Sequence, residues 1–366
     1  MNKSFDWRIS LFLISYQLLL IFSLPFYFYY MQPSAVLIVL SIILLFITGI
    51  SVTGGYHRYF SHRTYKAHPL IESLLLFFGG MAMEGSALRW AYEHRLHHAY
   101  VDTEKDPYSI KKGFLYAHFL WMLEKARPIE EKLVSDLIKN PRVMFQDKLI
   151  FFFMFGTNFL VWIVMGWLLN DYIGSFFIAV ALRIFILHHL TWFINSLAHT
   201  WGNKPFCQEQ TAVNNLILSF LTFGEGYHNY HHVFPKDYRN GVKWYHFDPT
   251  KWIIWILSKL KLVRDLKQVD QLTIKKRMVI ERKALLLKKI HNIDYVRQEE
   301  LTSQVEIIAS KILEKIMNFT HLYKELDKFK QPAITSKIHY ELYCLHASLK
   351  EDWKQWKLLS REILNT

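Results

Sequence analysis

Four stretches of this chain are nearly unbroken runs of apolar side chains: about 10–30, 35–56, 149–169 and 172–199. A helix needs about 20 apolar residues to cross a bilayer, and each run reaches that length. Buried helices of a soluble protein are the competing reading, but four charge-poor runs of this length in one chain argue against it. The pattern predicts an all-α integral membrane protein with four transmembrane helices. A fifth apolar stretch, 70–88, carries Glu72, Glu84 and two adjacent glycines. It reads as a helix packed within the polar part or lying at the interface, because a fifth crossing would separate histidine-rich segments that belong together.

The polar connections set the orientation. The short links between the first two runs and between the last two contain no Lys or Arg, whereas the long segments after runs two and four are rich in both. The positive-inside rule then puts both termini and both long segments in the cytoplasm. No small-residue cleavage site follows the first run, so a cleaved signal is not expected. The formal charge of +13 reads as cytoplasmic faces resting on anionic lipid. No nucleic-acid-reading motif accompanies it, which excludes nucleic acid as the partner. The two cysteines, Cys207 and Cys344, offer neither a disulfide framework nor a metal ribbon.

Beyond about residue 265 the composition turns to Lys, Glu, Leu and Ile. Val305, Ile308, Ile312, Ile316 and Phe319 recur at helical spacing, and Gln331-Pro332 interrupts the pattern before a second helical run over 337–364. The chain therefore divides into a membrane domain, 1–265, and a helical cytoplasmic extension, 266–366.

Histidine supplies the candidate chemistry. The chain has 18 histidines, and three words concentrate them: HRYFSH at 57–62, HRLHH at 94–98 and HNYHH at 228–232. Residues i, i+3 and i+4 share one helical face, so His94, His97 and His98 converge, and so do His228, His231 and His232. His57 and His62 stand about 140° apart on an α-helix, and the chain is expected to unwind between them. Topology places all three words, with His199 at the end of the last run, on one side of the membrane. Eight or nine imidazoles are twice what a four-ligand zinc site uses, so two metal ions sharing them is the economical reading. The zinc-protease word H-E-x-x-H is absent, and Glu225–His228 is the single Glu-x-x-His of the kind that carboxylate di-iron bundles use in pairs.

HRYFSHRTYKAH, EHRLHHAYVDTEKDPYS, NSLAHTWG, GEGYHNYHH and DYRNGVKWYHFDPTKW, running from about 35 to 255, resemble the membrane-bound acyl-CoA desaturases of the stearoyl-CoA (delta-9) type. The resemblance implies four spans capped by a cytoplasmic helical domain with a histidine-rich di-iron site. It implies iron ligation by His57, His62, His94, His97, His98, His199, His228, His231 and His232, with Asn195 reaching one iron through water. His199 enters through the resemblance, since a lone histidine near a span end is more often structural.

The implied reaction inserts a cis double bond, at the delta-9 position, into a saturated long-chain fatty acyl-CoA. An unactivated methylene has no acidic hydrogen for a base to take, so two iron ions, O2 and two electrons are required. No haem, flavin or iron–sulfur motif is found. A separate electron donor is expected, ferredoxin-like or a small haem protein with its reductase. Counting back from His57 by α-helical turns puts Thr53, Gly49 and Leu45/Phe46 on one face as a wall of the acyl tunnel, Leu45 lying about 18 Å from His57. Lys111, Lys112 and Lys125 match basic positions of the family and Glu93 an acidic one, as contacts to the CoA headgroup. Tyr92 departs from the arginine frequent there in animal members. A membrane hydroxylase, an acyl-lipid desaturase and, in another class, a scaffold holding structural zinc are the alternatives. The short lead before the first run favours a bacterial inner membrane over an endoplasmic reticulum.

Overall fold

The structure, a computed structural model, describes residues 5–292, 295–326 and 332–365; of the Gln331-Pro332 break, Gln331 lies outside the described residues. The chain forms two units, Met1–Lys204 with Gln210–Gln268, and Pro205–Glu209 with Val269–Thr366.

Four helices of the first unit are long and apolar enough to cross a membrane: Trp7–Tyr30, Ala35–Ser61, Phe152–Leu169 and Tyr172–His199, here spans 1 to 4. Local chemistry sets their ends. Asp6 accepts the amides of Arg8 and Ile9 at the start of span 1, and Ser34 accepts that of Leu37 at the start of span 2, each satisfying donors that a first turn leaves free. Asn170 ends span 3 in the left-handed conformation, φ 52°, which asparagine tolerates better than most residues. Asp171 then caps the next turn through the Gly174 amide. Half of the most apolar stretch of span 4 is buried against 17% for span 1, so span 4 is the inner helix and span 1 faces lipid.

Span 2 does not unwind toward its histidines as the spacing suggested. It continues from Ile50 into a π-helix, Ser51–Ser61, in which each amide reaches back five residues. The His62 amide donates to the His57 carbonyl (3.2 Å), and that wider turn stacks residues five apart. The two imidazoles therefore share a face, and His57 lies inside the helix rather than past its end.

A hairpin of two helices, Pro69–Met81 and Ala87–Tyr100, follows. The first is the short apolar helix expected near 70–88, and Ser86 caps the second by accepting the Arg89 amide (3.2 Å). After span 4 come the short helices Leu216–Leu221 and His228–Val233, then Pro249–Lys259. Phe223, just before the third histidine word, fills the place of a side chain at Gly49 of span 2, where a Cβ would overlap its ring. The described strands are two residues long: Lys66 pairs with Arg264 and Ala67 with Val263, antiparallel.

The second unit is built from Gln271–Ile290, Tyr295–Leu326 and Pro332–Asn365. Val305, Ile312 and Ile316 form one apolar cluster with Val279, Leu286, Ile290, Leu349 and Trp356. Pro205–Glu209 joins this unit: Arg277 donates to the Phe206 carbonyl (2.7 Å) and the Gln208 amide to Glu281 (2.9 Å).

Candidate metal centre

Three elements bring the histidine words together. The π-helical end of span 2 presents His57 and His62, Ala87–Tyr100 presents His94, His97 and His98, and His228–Val233 presents His228, His231 and His232. His199 comes from the last turn of span 4. They sort into two groups, His57, His62, His94, His98 and His231 in one, and His97, His199, His228 and His232 in the other. Within each group one ring nitrogen per residue lies within 4.8 Å of the others. Each H-x-x-H-H word thus divides between the groups. No further histidine, among the described residues, joins either one.

The inward nitrogens are Nε2. His57 and His231 approach to 2.9 Å, His62 and His94 to 2.8 Å, and His98 and His231 to 2.9 Å. In the second group the separations are 3.1 Å for His199–His228, 3.0 Å for His228–His232 and 3.3 Å for His97–His232. Several outward nitrogens are held from behind. His57 Nδ1 donates to Glu225 (2.9 Å) and His97 Nδ1 to Asp106 (2.9 Å). His199 Nδ1 pairs with the Thr211 hydroxyl (2.8 Å), which donates in turn to Asp102. The Tyr108 hydroxyl lies 3.3 Å from His94 Nδ1.

A neutral imidazole has one N–H. Where a carboxylate takes it at Nδ1, the Nε2 lone pair points into the group, the orientation that backs metal-ligating histidines generally. Burial, then repulsion from neighbouring imidazoles, holds His62, His94, His98, His228, His231 and His232 well below the usual imidazole range. They are therefore in the ligating form. Converging lone pairs at these separations repel unless a cation lies among them, so the residues fit a metal site. An all-imidazole donor set suits iron, copper, zinc or nickel.

Glu225 is the residue whose role spacing alone missed. Its Glu-x-x-His word has no second copy and so carried no role, yet its carboxylate meets His57 and the buried Arg58 (2.9 Å each). Arg58 is 1% exposed and also meets Asp248 (2.9 Å), so one cation is shared between two carboxylates. These hold Glu225 below its ordinary range against the burial that raises it. Asp106 stood inside the quoted DTEKDPYS, but only the loop after Tyr100 reveals what it touches.

A fatty acid desaturase family model matches residues 6–260. The chain belongs to the fatty acid desaturase family. Among curated relatives, it is 40% identical over 250 residues to Acyl-CoA desaturase 1 of Saccharomyces cerevisiae, covering 68% of this chain and 49% of that one. It is 43% identical over 255 residues to a Probable acyl-CoA desaturase of Schizosaccharomyces pombe (68% and 53%). With Stearoyl-CoA desaturase 5 of Bos taurus it shares 34% over 248 residues (65% and 72%). The chain thus spans about half the length of the two yeast relatives. These relatives are eukaryotic, so the bacterial inner membrane expected from sequence gains no support; four long apolar helices in a desaturase make it a multi-pass membrane protein.

The other expected site residues fall as follows. Asn195 is half-buried on span 4, one turn before His199. Lys111 and Lys125 are exposed, and Lys112 lies 3.7 Å from Glu104. Burial pushes Glu93 up to about 7 against the pull of Arg89 and Arg127. The α-helical count back from His57 does not hold through the π-helix, which rotates the face. Thr53 turns its hydroxyl to that of Thr250 (2.7 Å). Val52, five residues before His57, instead joins Leu45, Ile50, Ala82, Leu187 and Phe223 in an apolar cluster. Gly49 and Phe46 meet Phe223, the latter edge-on at 5.3 Å.

Proposed function

We propose that the chain is an O2-dependent fatty acyl-CoA desaturase that holds two iron ions and places a cis double bond in a saturated long-chain acyl-CoA, at the delta-9 position. The observation that carries this reading is the pair of buried imidazole groups in a chain of the desaturase family. His57, His62, His94, His98 and His231 would hold one iron, and His97, His199, His228 and His232 the other, with Asn195 acting through water. Bound iron supplies the O2 chemistry that removes two hydrogens from a methylene pair no base can deprotonate.

The chain's own residues do the positioning. Glu225 and Asp106 orient His57 and His97. Leu45, Val52, Leu187 and Phe223 offer an apolar wall along which an acyl chain can be held in register. Lys111, Lys112, Lys125 and Glu93 would meet the CoA headgroup on the cytoplasmic side, where both termini lie. Two electrons come from a separate donor protein, ferredoxin-like or a small haem protein with its reductase, docking on that basic face.

The fatty-acid profile of cells expressing the chain tests this, with a His231→Ala variant beside it. A new monounsaturated acid in the wild type alone is the expected result, and its bond position gives the regiochemistry. A hydroxy acid in its place would move the chain to the hydroxylases.

A further inference from the structure

Two short helices of the first unit turn apolar side chains outward. Leu216–Leu221 buries Leu218 and Ser219 but leaves Leu216, Ile217 and Phe220 more than half exposed. Pro249–Lys259 buries Thr250, Lys251 and Ile254 and exposes Trp252, Trp255 and Ile256. Phe220 stacks on Phe247 (ring centroids 4.3 Å), which meets Trp252 edge-on (5.5 Å), so the two faces make one patch. Neither helix contains an acidic residue. An apolar patch of this kind on a folded chain marks a contact surface.

Its position says what covers it. Phe223, two residues past Leu221, meets Gly49 and Phe46 in the apolar part of span 2, and Phe46 is itself exposed on that span. Thr250, at the start of the other helix, bonds to Thr53 of span 2 (2.7 Å) and to the Phe223 carbonyl (2.9 Å). Asn215 donates to the carbonyl of Trp201 (2.9 Å), an exposed residue two places past the end of span 4. The patch is therefore continuous with the outer faces of spans 2 and 4, at the ends that carry the histidines. A soluble partner would reach it only by displacing lipid.

The loop before Pro249–Lys259 adds the chemistry of a headgroup layer. Trp244 is 85% exposed and Tyr245 57%, yet the loop is firmly held. Buried Lys251 Nζ donates to the carbonyls of Gly241 (2.8 Å), Lys243 (2.9 Å) and His246 (3.1 Å), and Trp252 Nε1–H donates to that of Trp244 (3.4 Å). Lys243 lies over the Tyr245 ring (5.4 Å) and Lys259 over that of Trp255 (5.2 Å). Aromatic rings of this type settle at the bilayer interface, and lysines extend beside them to the phosphates.

We propose that Leu216–Leu221, the Trp244–Tyr245 loop and the outer face of Pro249–Lys259 form an interfacial lobe sunk in the bilayer leaflet on the histidine side, with Lys243 and Lys259 at the lipid phosphates. The lobe is a further membrane contact that does not cross, its helices being far shorter than the roughly 20 residues a crossing takes. It does not depend on the reaction proposed above.

The test uses the full-length, metal-loaded protein in nanodiscs of phosphatidylcholine and phosphatidylserine. Cys344→Ser removes the exposed thiol, and a fluorophore is attached at Ile217→Cys or, separately, at Trp255→Cys, so that one misfolded variant leaves the other. Dyes at Phe22→Cys on span 1 and Tyr340→Cys in the C-terminal unit, both exposed positions, give the lipid and water references. Lipid with a nitroxide on its acyl chain should quench the dyes at 217 and 255 as it does the one at 22, and aqueous iodide should quench them several-fold less than the one at 340. Iodide quenching equal to that at 340, without quenching by the nitroxide lipid, would overturn the proposal and leave the patch to a soluble protein. Protection from both quenchers would overturn it in favour of a second copy of this chain.

Discussion

The desaturase-family unit buries seven of its nine converging histidines together with Arg58, Arg183, Glu225, Asp237 and Asp248, whereas the C-terminal unit, among its described residues, buries Ser360 as its one polar side chain. The first interior is a set of charged and hydrogen-bonded groups, each requiring its partner. The second is a stack of Val, Ile, Leu and Trp whose members are individually replaceable at the cost of a cavity. Polar interiors are expensive to assemble, so where a chain keeps one, the groups have a task beyond holding the fold. For Glu225, with Arg58 behind it, that task is orienting His57. Among the described residues of the second unit, no cluster of buried imidazoles or carboxylates is found.

The sharpest way to break this contrast is Glu225→Gln. It leaves the shape but removes the charge shared by His57 and Arg58. Stability should fall by about 3–5 kcal/mol, as when one partner of a buried ion pair is lost, and bound metal should fall with it. Denaturant unfolding and elemental analysis read the two effects; a variant as stable and as metal-rich as wild type would show that the polar interior is not interdependent. Next comes Ile312→Ala in the second unit. Ile312 is fully buried in its cluster, so the loss should be about 2–5 kcal/mol for that unit alone. Metal content should hold, since none of the nine histidines lies there. A fall in metal would mean the two interiors are not separate. The smallest effect is expected from Arg297→Ala. Its bond to Glu362 (2.8 Å) joins side chains each about half exposed, and such surface pairs contribute under about 1 kcal/mol. A larger drop in the unfolding transition would show that the C-terminal unit depends on its charges after all.

The sequence carried different amounts of these two regions. Spans 1 to 4 and the stripe Val305, Ile312, Ile316 were legible because burial of a helix leaves a period or a run in the sequence itself. The histidine words were legible because three ligands on one helical face need a fixed spacing. How the two H-x-x-H-H words divide between two groups was not, since that depends on where span 2, Ala87–Tyr100 and His228–Val233 cross. The π-helix at Ser51–Ser61 also lay beyond spacing arguments: nothing in its mix of β-branched, aromatic and glycine residues marks the wider turn that brings His57 and His62 together. Counting by α-helical turns there put Thr53 on the face of His57, whereas the five-residue reach of the π-helix puts Val52 there. Glu225 and Asp106 could be seen but not assigned, because their partners sit on other elements. Pro205–Glu209 has no period at all, and only its bonds to Arg277 and Glu281 place it with the C-terminal helices.

The central claim is that the two imidazole groups hold two iron ions. Metal analysis of the purified wild-type chain tests it most directly. The account predicts about two irons per chain and little zinc. Stoichiometric zinc, or no more than one tightly held metal per chain, would contradict it.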